Sequence, residues 1–379
     1  MYTDLCDRLG IEFPIFAFSH CRDVVAAVSR AGGFGMLGAV GVTPEQLAID
    51  LDWIDREVGD RPYGVDVVIP QNDSAGDEVD PVALHERLLK QVPQEHFDYA
   101  NKVLKDHGIP ELAEGEFHNG MITRSNSTTA RLHVAEAMRH PNVKVIANAL
   151  GAPPQDLTDT IHDSGRLVAG LCGSVDHARR HAASGVDIIV AQGGEGGGHT
   201  GYIGSMVLWP QVVEAVAPLP VLAAGGVGNG AQIAAALAMG AQGVWNGTLW
   251  LSTEESEMTD VQRRAIISAD SKDAIISRSL TGKRNRLLRS GWTEAWEKPE
   301  APEPLPLPLQ DLVAGEAVTR LETYPNANAE MHITPSGQVA GQIKKVSKAA
   351  DLVLELAEQY LDATERLAAL NARLEETTK

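Results

Sequence analysis

Short apolar runs alternate with amphipathic stretches along most of the chain. Residues 13–17 (FPIFA), 35–39 (GMLGA) and 63–70 (YGVDVVIP) read as strands. Between them, 22–31 and a segment opening at Thr43 carry the spacing of helices, with Thr43 as N-cap and Pro44 at the first helical position. After residue 142 the alternation resumes. Strands are expected at 143–147, 167–171, 187–191, 220–224 and 243–245, and helices at 155–164, 175–184, 209–216 and 230–239. The strands are continuously apolar, as parallel strands covered on both faces are. Three strands before the interruption and five after it make eight, the count of a (β/α)8 TIM barrel.

The interruption, residues 71–142, is polar and acidic and holds six of the 12 histidines. It reads mainly as helices, at 81–90, 94–105 and 128–139. As an insertion after the third strand it should emerge at the catalytic face, where it could act as a lid. Beyond residue 253 the pattern is mostly helical, with a Pro-rich linker at 299–308. An amphipathic helix rich in Ala, Leu and Glu follows at 346–374, packed on the barrel or on a second subunit of a homo-oligomer. The expected organisation is therefore a barrel from 1–70 and 143–252, a helical insertion at 71–142 and a helical region at 253–379.

The chain has 379 residues, 44% of them hydrophobic, enough for a sizeable core and too many for a disordered protein. With 32 Lys+Arg against 51 Asp+Glu it carries a net charge of -19. That balance argues against nucleic acid and anionic membrane surfaces as partners. Cys6, Cys21 and Cys172 form neither a disulfide framework nor a zinc motif, and read as buried small side chains. There is no signal-like start and no run long enough to span a membrane, so a soluble cytoplasmic protein is expected.

Candidate chemistry gathers where the glycines do. The strand ending at Ala191 runs into QGGEGGGHTG, from Gln192 through His199 to Gly201. Glycines let such a loop curl tightly and present N–H groups to a ligand, and barrel enzymes place their chemistry at this end of a strand. Gly225, Gly226 and Gly228 precede the next helix, and Asn246, Gly247 and Thr248 follow the last strand. The pair falls on the loops after strands seven and eight, where barrels often bind phosphate. Three weaker features remain. Glu111, Glu114, Glu116 and His118 form an acidic cluster that reads as solvated surface rather than a metal site. Lys283, Arg284, Arg286 and Arg289 read as a solvated helix end that could alternatively meet a substrate phosphate. The Gly-punctuated stretch Ser336 to Gln342 is a candidate strap over a cofactor.

On these residues the chain resembles the nitronate monooxygenases, FMN-dependent (β/α)8 enzymes. The resemblance rests on Pro14-Ile15-Phe16-Ala17, the segment Ala31 to Gly38, the loop Gln192 to Gly201, Gly225-Gly226 with Gly247-Thr248, and the segment Thr281 to Arg286. It implies FMN as cofactor. Ala17 and Gln192 would lie near the isoalloxazine, with Gly197 against the flavin. Gly225, Gly226, Gly247 and Thr248 would hold the phosphate, beside Asn246. His199 would be the catalytic residue on the substrate side, titrating near neutrality.

Two positions depart from the family pattern. Asp66 stands where an Asn usually contacts FMN, and a carboxylate there is unfavourable beside a reduced flavin unless protonated or paired. Phe18-Ser19-His20 replaces a stretch that usually contains Met, which makes His20 a candidate second acid/base. The resemblance implies oxidation of alkyl nitronates by O2 to carbonyl compounds and nitrite. The alternative on the same scaffold is an NAD(P)H-dependent reductase of an enoyl or acyl-CoA thioester, quinone or ring ketone. Outside flavin chemistry stands a sugar-phosphate isomerase or binding protein.

Overall fold

A computed structural model describes residues 1–69, 81–113 and 127–377. The strands are β1 (Ile15–Ser19), β2 (Phe34–Gly38), β3 (Tyr63–Val67), β4 (Val143–Asn148), β5 (Leu167–Cys172), β6 (Ile188–Gln192), β7 (Gly198–His199), β8 (Val221–Ala224), β9 (Gly243–Asn246), β10 (Ala274–Ser277) and β11 (Asn285–Leu288). Eight of them close a barrel in the order β1-β2-β3-β4-β5-β6-β8-β9, each pair parallel. This is the (β/α)8 architecture that the period of the sequence implies.

Alternation along each strand divides the side chains between two layers. Phe16, Phe34, Met36, Val145, Ala147, Val190, Leu222 and Trp245 fill the barrel interior. Ile15, Val65, Val67, Ile146, Ile189 and Val244 pack outward among the helices. Each helix start has a local cause where the sequence supplies one: Thr43 Oγ1 accepts from Gln46 N at 3.2 Å, and Asn229 Oδ1 accepts from Gln232 N at 3.0 Å. The third strand stops at Val67, short of the expected Pro70, which lies outside the described residues. Two residues on, the N–H of Ile69 is taken by the Asn148 side chain at 3.0 Å, which ends the ladder.

The segment between β3 and β4 divides between two cores. Its last helix, Ser127–Ala137, buries Ala130, Val134 and Ala137 in the layer between barrel and helices. The helices Pro81–Leu89 and Gln94–Asp106 instead bury Leu84, Leu88, Val103 and Leu104 in a second cluster. The rest of that cluster comes from the C-terminal region, including Trp292, Trp296, Val313 and Ala317. Arg320, 2% exposed, fastens the two parts by donating to Pro110 O at 2.7 Å and Ile109 O at 2.6 Å.

The C-terminal region is not only helical. β10 and β11 form an antiparallel hairpin, and β11 pairs with β7, so the glycine loop of the barrel becomes the third strand of a small sheet. The final helix, Ala349–Thr377, lies on the barrel through Ala349, Val353 and Leu356. No described helix is long and apolar enough to cross a membrane.

Candidate active site at the barrel mouth

The loop after β6 is tied to its own strand and to the helix that follows it. Glu195 turns away from the barrel axis to cap the helix Ser205–Val216, accepting from Ser205 N at 3.0 Å and from its hydroxyl at 2.8 Å. This cap from the preceding loop accompanies a helix start four residues before the expected 209. Gln192 Nε2 donates to Gly197 O at 3.3 Å, closing the loop on its own strand end. Trp209 Nε1 lies 3.1 Å from both Ala191 O and Ala224 O, tying β6 to β8 directly below.

Gly225 and Gly226 both have φ near the left-handed region, 80° and 76°. A Cβ on Gly225 would stand 2.7 Å from Gly193 O, so only glycine lets the loops after β6 and β8 lie this close. Gly247 and Thr248 follow β9 on the same face. The stretch beginning at Ser336 closes over these loops. Gly337 N donates to Thr248 Oγ1 at 2.9 Å, Gln338 N donates to Glu195 O at 3.0 Å, and a Cβ on Gly197 would meet Gly337 N at 2.7 Å. With its oxygen accepting from Gly337, the Thr248 hydroxyl keeps its own proton to donate.

His199 pairs with Asn285 across β7 and β11, and its Nε2 lies 2.7 Å from Thr281 Oγ1. Burial, with help from Lys283, pushes its pKa down to about 4. The imidazole is therefore neutral at pH 7, a correction to the expected titration near neutrality. Asp66 faces the barrel interior, since Val65 and Val67 on either side of it pack outward. Burial raises its carboxyl to about 7. Ala17 is fully buried within β1, level with Asn246 in β9.

The basic run 283–289 belongs to the hairpin, not to a helix end. Arg286 points inward and donates to Gly194 O and Ala274 O. Arg284 lies 4.4 Å over the ring of Tyr202, which is 85% exposed, and donates to Gly201 O at 3.2 Å. Thr281 and Arg286 stood out in the sequence only as part of the family resemblance and of a basic run, and their contacts to His199 and Gly194 lie across the fold; the cap supplied by Glu195 was not foreseen. Of the acidic cluster, Glu111 is exposed, and Glu114, Glu116 and His118 lie outside the described residues. Among the described residues no group of three His, Cys, Asp or Glu is placed for a metal ion. All three cysteines are free and buried.

Four buried polar atoms around this mouth have no hydrogen-bond partner among the described residues: Asp66 Oδ1, Asn246 Oδ1, Asn285 Oδ1 and Ser336 Oγ. Buried groups of this kind are ordinarily completed by an ordered water or a polar ligand.

The family described as nitronate monooxygenase matches residues 3–359. The chain belongs to that family. It is an oxidoreductase, and the match spans the barrel, the hairpin and the start of the last helix. "Putative monooxygenase Rv1533" of Mycobacterium tuberculosis is 44% identical over 385 residues, covering 98% of this chain and 100% of that protein. A second protein of that organism, a hydroxy-methyl-oxo-octahydroindene-carboxyl-CoA dehydrogenase, is 31% identical over 78% of this chain and 68% of its own length. Among solved structures, the nitroalkane oxidase of Streptomyces ansochromogenes superposes with a TM-score of 0.77 at 26% identity, covering 96% of this chain and 99% of that one.

Proposed function

We propose that this member of the nitronate monooxygenase family binds FMN and oxidises alkyl nitronates with O2 to carbonyl compounds and nitrite. The observation that carries the reading is the ring of orphaned polar atoms at the glycine loops of a chain in this family. Gly225, Gly226, Gly247 and Thr248 would hold the phosphate, through backbone N–H groups and the free hydroxyl proton. Ala17, Asp66, Gln192, Gly197 and Asn246 would border the ring system. When bound, FMN supplies the two-electron chemistry that side chains lack.

The chain's own residues then have separable roles. Asp66, uncharged below about pH 7, can donate to a carbonyl oxygen without setting a negative charge beside an electron-rich ring. His199, neutral and braced by Thr281, offers hydrogen bonding to a nitronate oxygen. Lys283 and Arg284, which make no ion pair among the described residues, draw an anion to the entrance of an otherwise acidic protein. The second reading, a reductase acting on a CoA thioester, is favoured by the exposed Tyr202 under Arg284 and by the CoA-linked dehydrogenase among the relatives.

A visible spectrum of the purified protein separates these readings, followed by anaerobic addition of propionate 3-nitronate and, separately, NADPH. Flavin bands bleached by the nitronate alone support the monooxygenase. Bleaching by NADPH alone supports the reductase. A protein that takes up no FMN sinks both.

A further inference from the structure

The rim of the barrel mouth carries a cationic feature that the glycine loops do not use. Arg284 immediately precedes β11, and its guanidinium lies 4.4 Å over the ring of Tyr202, at the end of the loop that bears His199. Its Nε donates to Gly201 O at 3.2 Å. The ring and the carbonyl together fix the plane of the guanidinium. Its terminal nitrogens, Nη1 and Nη2, make no hydrogen bond or ion pair among the described residues.

A planar fork with unused donors, oriented before any ligand arrives, matches an anion that presents several oxygens. Lys283, the preceding residue, is exposed and has no ion-pair partner among the described residues either. Adjacent cations favour a doubly charged phosphate monoester over a single carboxylate. The chain as a whole carries a charge of -19, so an anion that binds here is held by this local pair against the general field. The surroundings are apolar. Tyr202 is 85% exposed although Arg284 covers one face of its ring, and Met206 and Val207, in the first turn of the helix Ser205–Val216, are 66% and 55% exposed. Such a surface suits a flat ring. A flat ring joined to a phosphate monoester is a nucleotide.

We infer that Lys283, Arg284 and Tyr202 form a docking site for the ribose phosphate and base of an adenine nucleotide, separate from the glycine loops that would hold the FMN phosphate. Arg284 takes the phosphate with its two terminal nitrogens, Lys283 supplies the second charge, and Tyr202 with Met206 receives the base. This chemistry has two sources, the 3′-phosphoadenosine of CoA and the 2′-phosphoadenosine of NADP(H). The site adjoins the candidate centre, because Asn285 pairs with His199 and Tyr202 follows His199 in the same loop. A nucleotide anchored here therefore holds its remaining length at the mouth. The inference goes beyond the nitronate reading and does not depend on it; it gives the reductase reading the residues that would anchor its substrate.

Isothermal titration calorimetry of the FMN-loaded protein with CoA, 3′-dephospho-CoA, NADP+ and NAD+ reads the site without turnover. In at least one of the two pairs the phosphate-bearing member is expected to bind about tenfold tighter or more. Discrimination in the CoA pair identifies a thioester as the ligand, and discrimination in the NADP pair a dinucleotide. Arg284→Ala is expected to abolish the preference, and Arg284→Lys to restore part of it through charge without the fork. Tyr202→Ala is expected to weaken both members of the pair alike. Flavin absorbance and Tm of each variant check that fold and cofactor are retained. A preference below about twofold in both pairs overturns the inference, as does one that survives Arg284→Ala. Aerobic oxidation of propionate 3-nitronate is measured separately. Its absence sinks the monooxygenase reading, whereas the titrations still report on the rim.

Discussion

Arg286 grips the backbone carbonyl of Gly194 with two nitrogens, Nη2 at 2.6 Å and Nε at 3.1 Å. The guanidinium comes from the hairpin beyond the barrel, and the carbonyl from the glycine loop that follows β6. Burial weakens the guanidinium's preference for its charged form, yet it makes no ion pair among the described residues and relies on carbonyl dipoles. The hairpin therefore acts as a brace for a loop that glycine alone would leave mobile.

Replacing Arg286 with Lys keeps the charge but loses the fork. Hydrogen bonds to charged groups contribute about 1.5–3 kcal/mol, so a loss of this order is expected. Thermal unfolding of the FMN-free protein should show a clear drop in Tm, with weaker FMN binding by fluorescence titration. An unchanged Tm and FMN affinity would remove the bracing role.

Asp66 makes stability depend on pH in a definite direction. Its folded pKa, about 7, lies above the ordinary carboxylate value of 3.8, so the folded chain binds the extra proton between these limits. Its contribution is fully present below about pH 4 and is lost as pH rises toward and through 7. Asp66→Asn should therefore gain stability relative to the parent as pH rises from 4.5 to 8. A difference in Tm between the two proteins that stays flat over this range would contradict the buried, uncharged carboxyl.

His199 works in the opposite sense. Its folded pKa is lowered to about 4, so the stability tied to its neutral form is present above 6.5 and is lost as pH falls through 4. NMR of the ring protons should show His199 neutral down to about pH 5. Thr281→Val removes the 2.7 Å contact that orients the ring. A fall of about 2- to 13-fold in kcat/KM for nitronate is expected, the scale of about 0.5–1.5 kcal/mol for one hydrogen bond. A full-activity Thr281→Val would show that the ring needs no brace.

Gly225→Ala meets two obstacles at once, a positive φ and the Gly193 carbonyl at 2.7 Å from the new methyl carbon. Strain of about 1–3 kcal/mol at such a position should move the loop rather than unfold the barrel. FMN affinity is expected to fall by about tenfold to a hundredfold for that energy, with the far-ultraviolet spectrum preserved. Retained affinity would separate these glycines from the phosphate site.

The alternation of apolar strands with capped helices was legible in the chain because it is local. Strand and helix periods, the Thr43 and Asn229 caps and the glycine-rich turns all act within a few residues. From them follow the eight-stranded barrel and the end of it that carries the candidate chemistry. Only the tertiary structure decided what holds that end in place. Arg286 and Gly194 are 92 residues apart, Thr281 and His199 82, and Gly337 and Thr248 89. The hairpin 274–288 has too little apolar alternation to announce itself, and its third strand is the distant pair Gly198–His199. A basic run looks solvated in sequence because nothing local reveals that the carbonyls of Gly194 and Ala274 will line up to receive one of its members. Burial, which lowers the His199 pKa and raises that of Asp66, is likewise a property of neighbours gathered from many strands, and no window along the chain contains it.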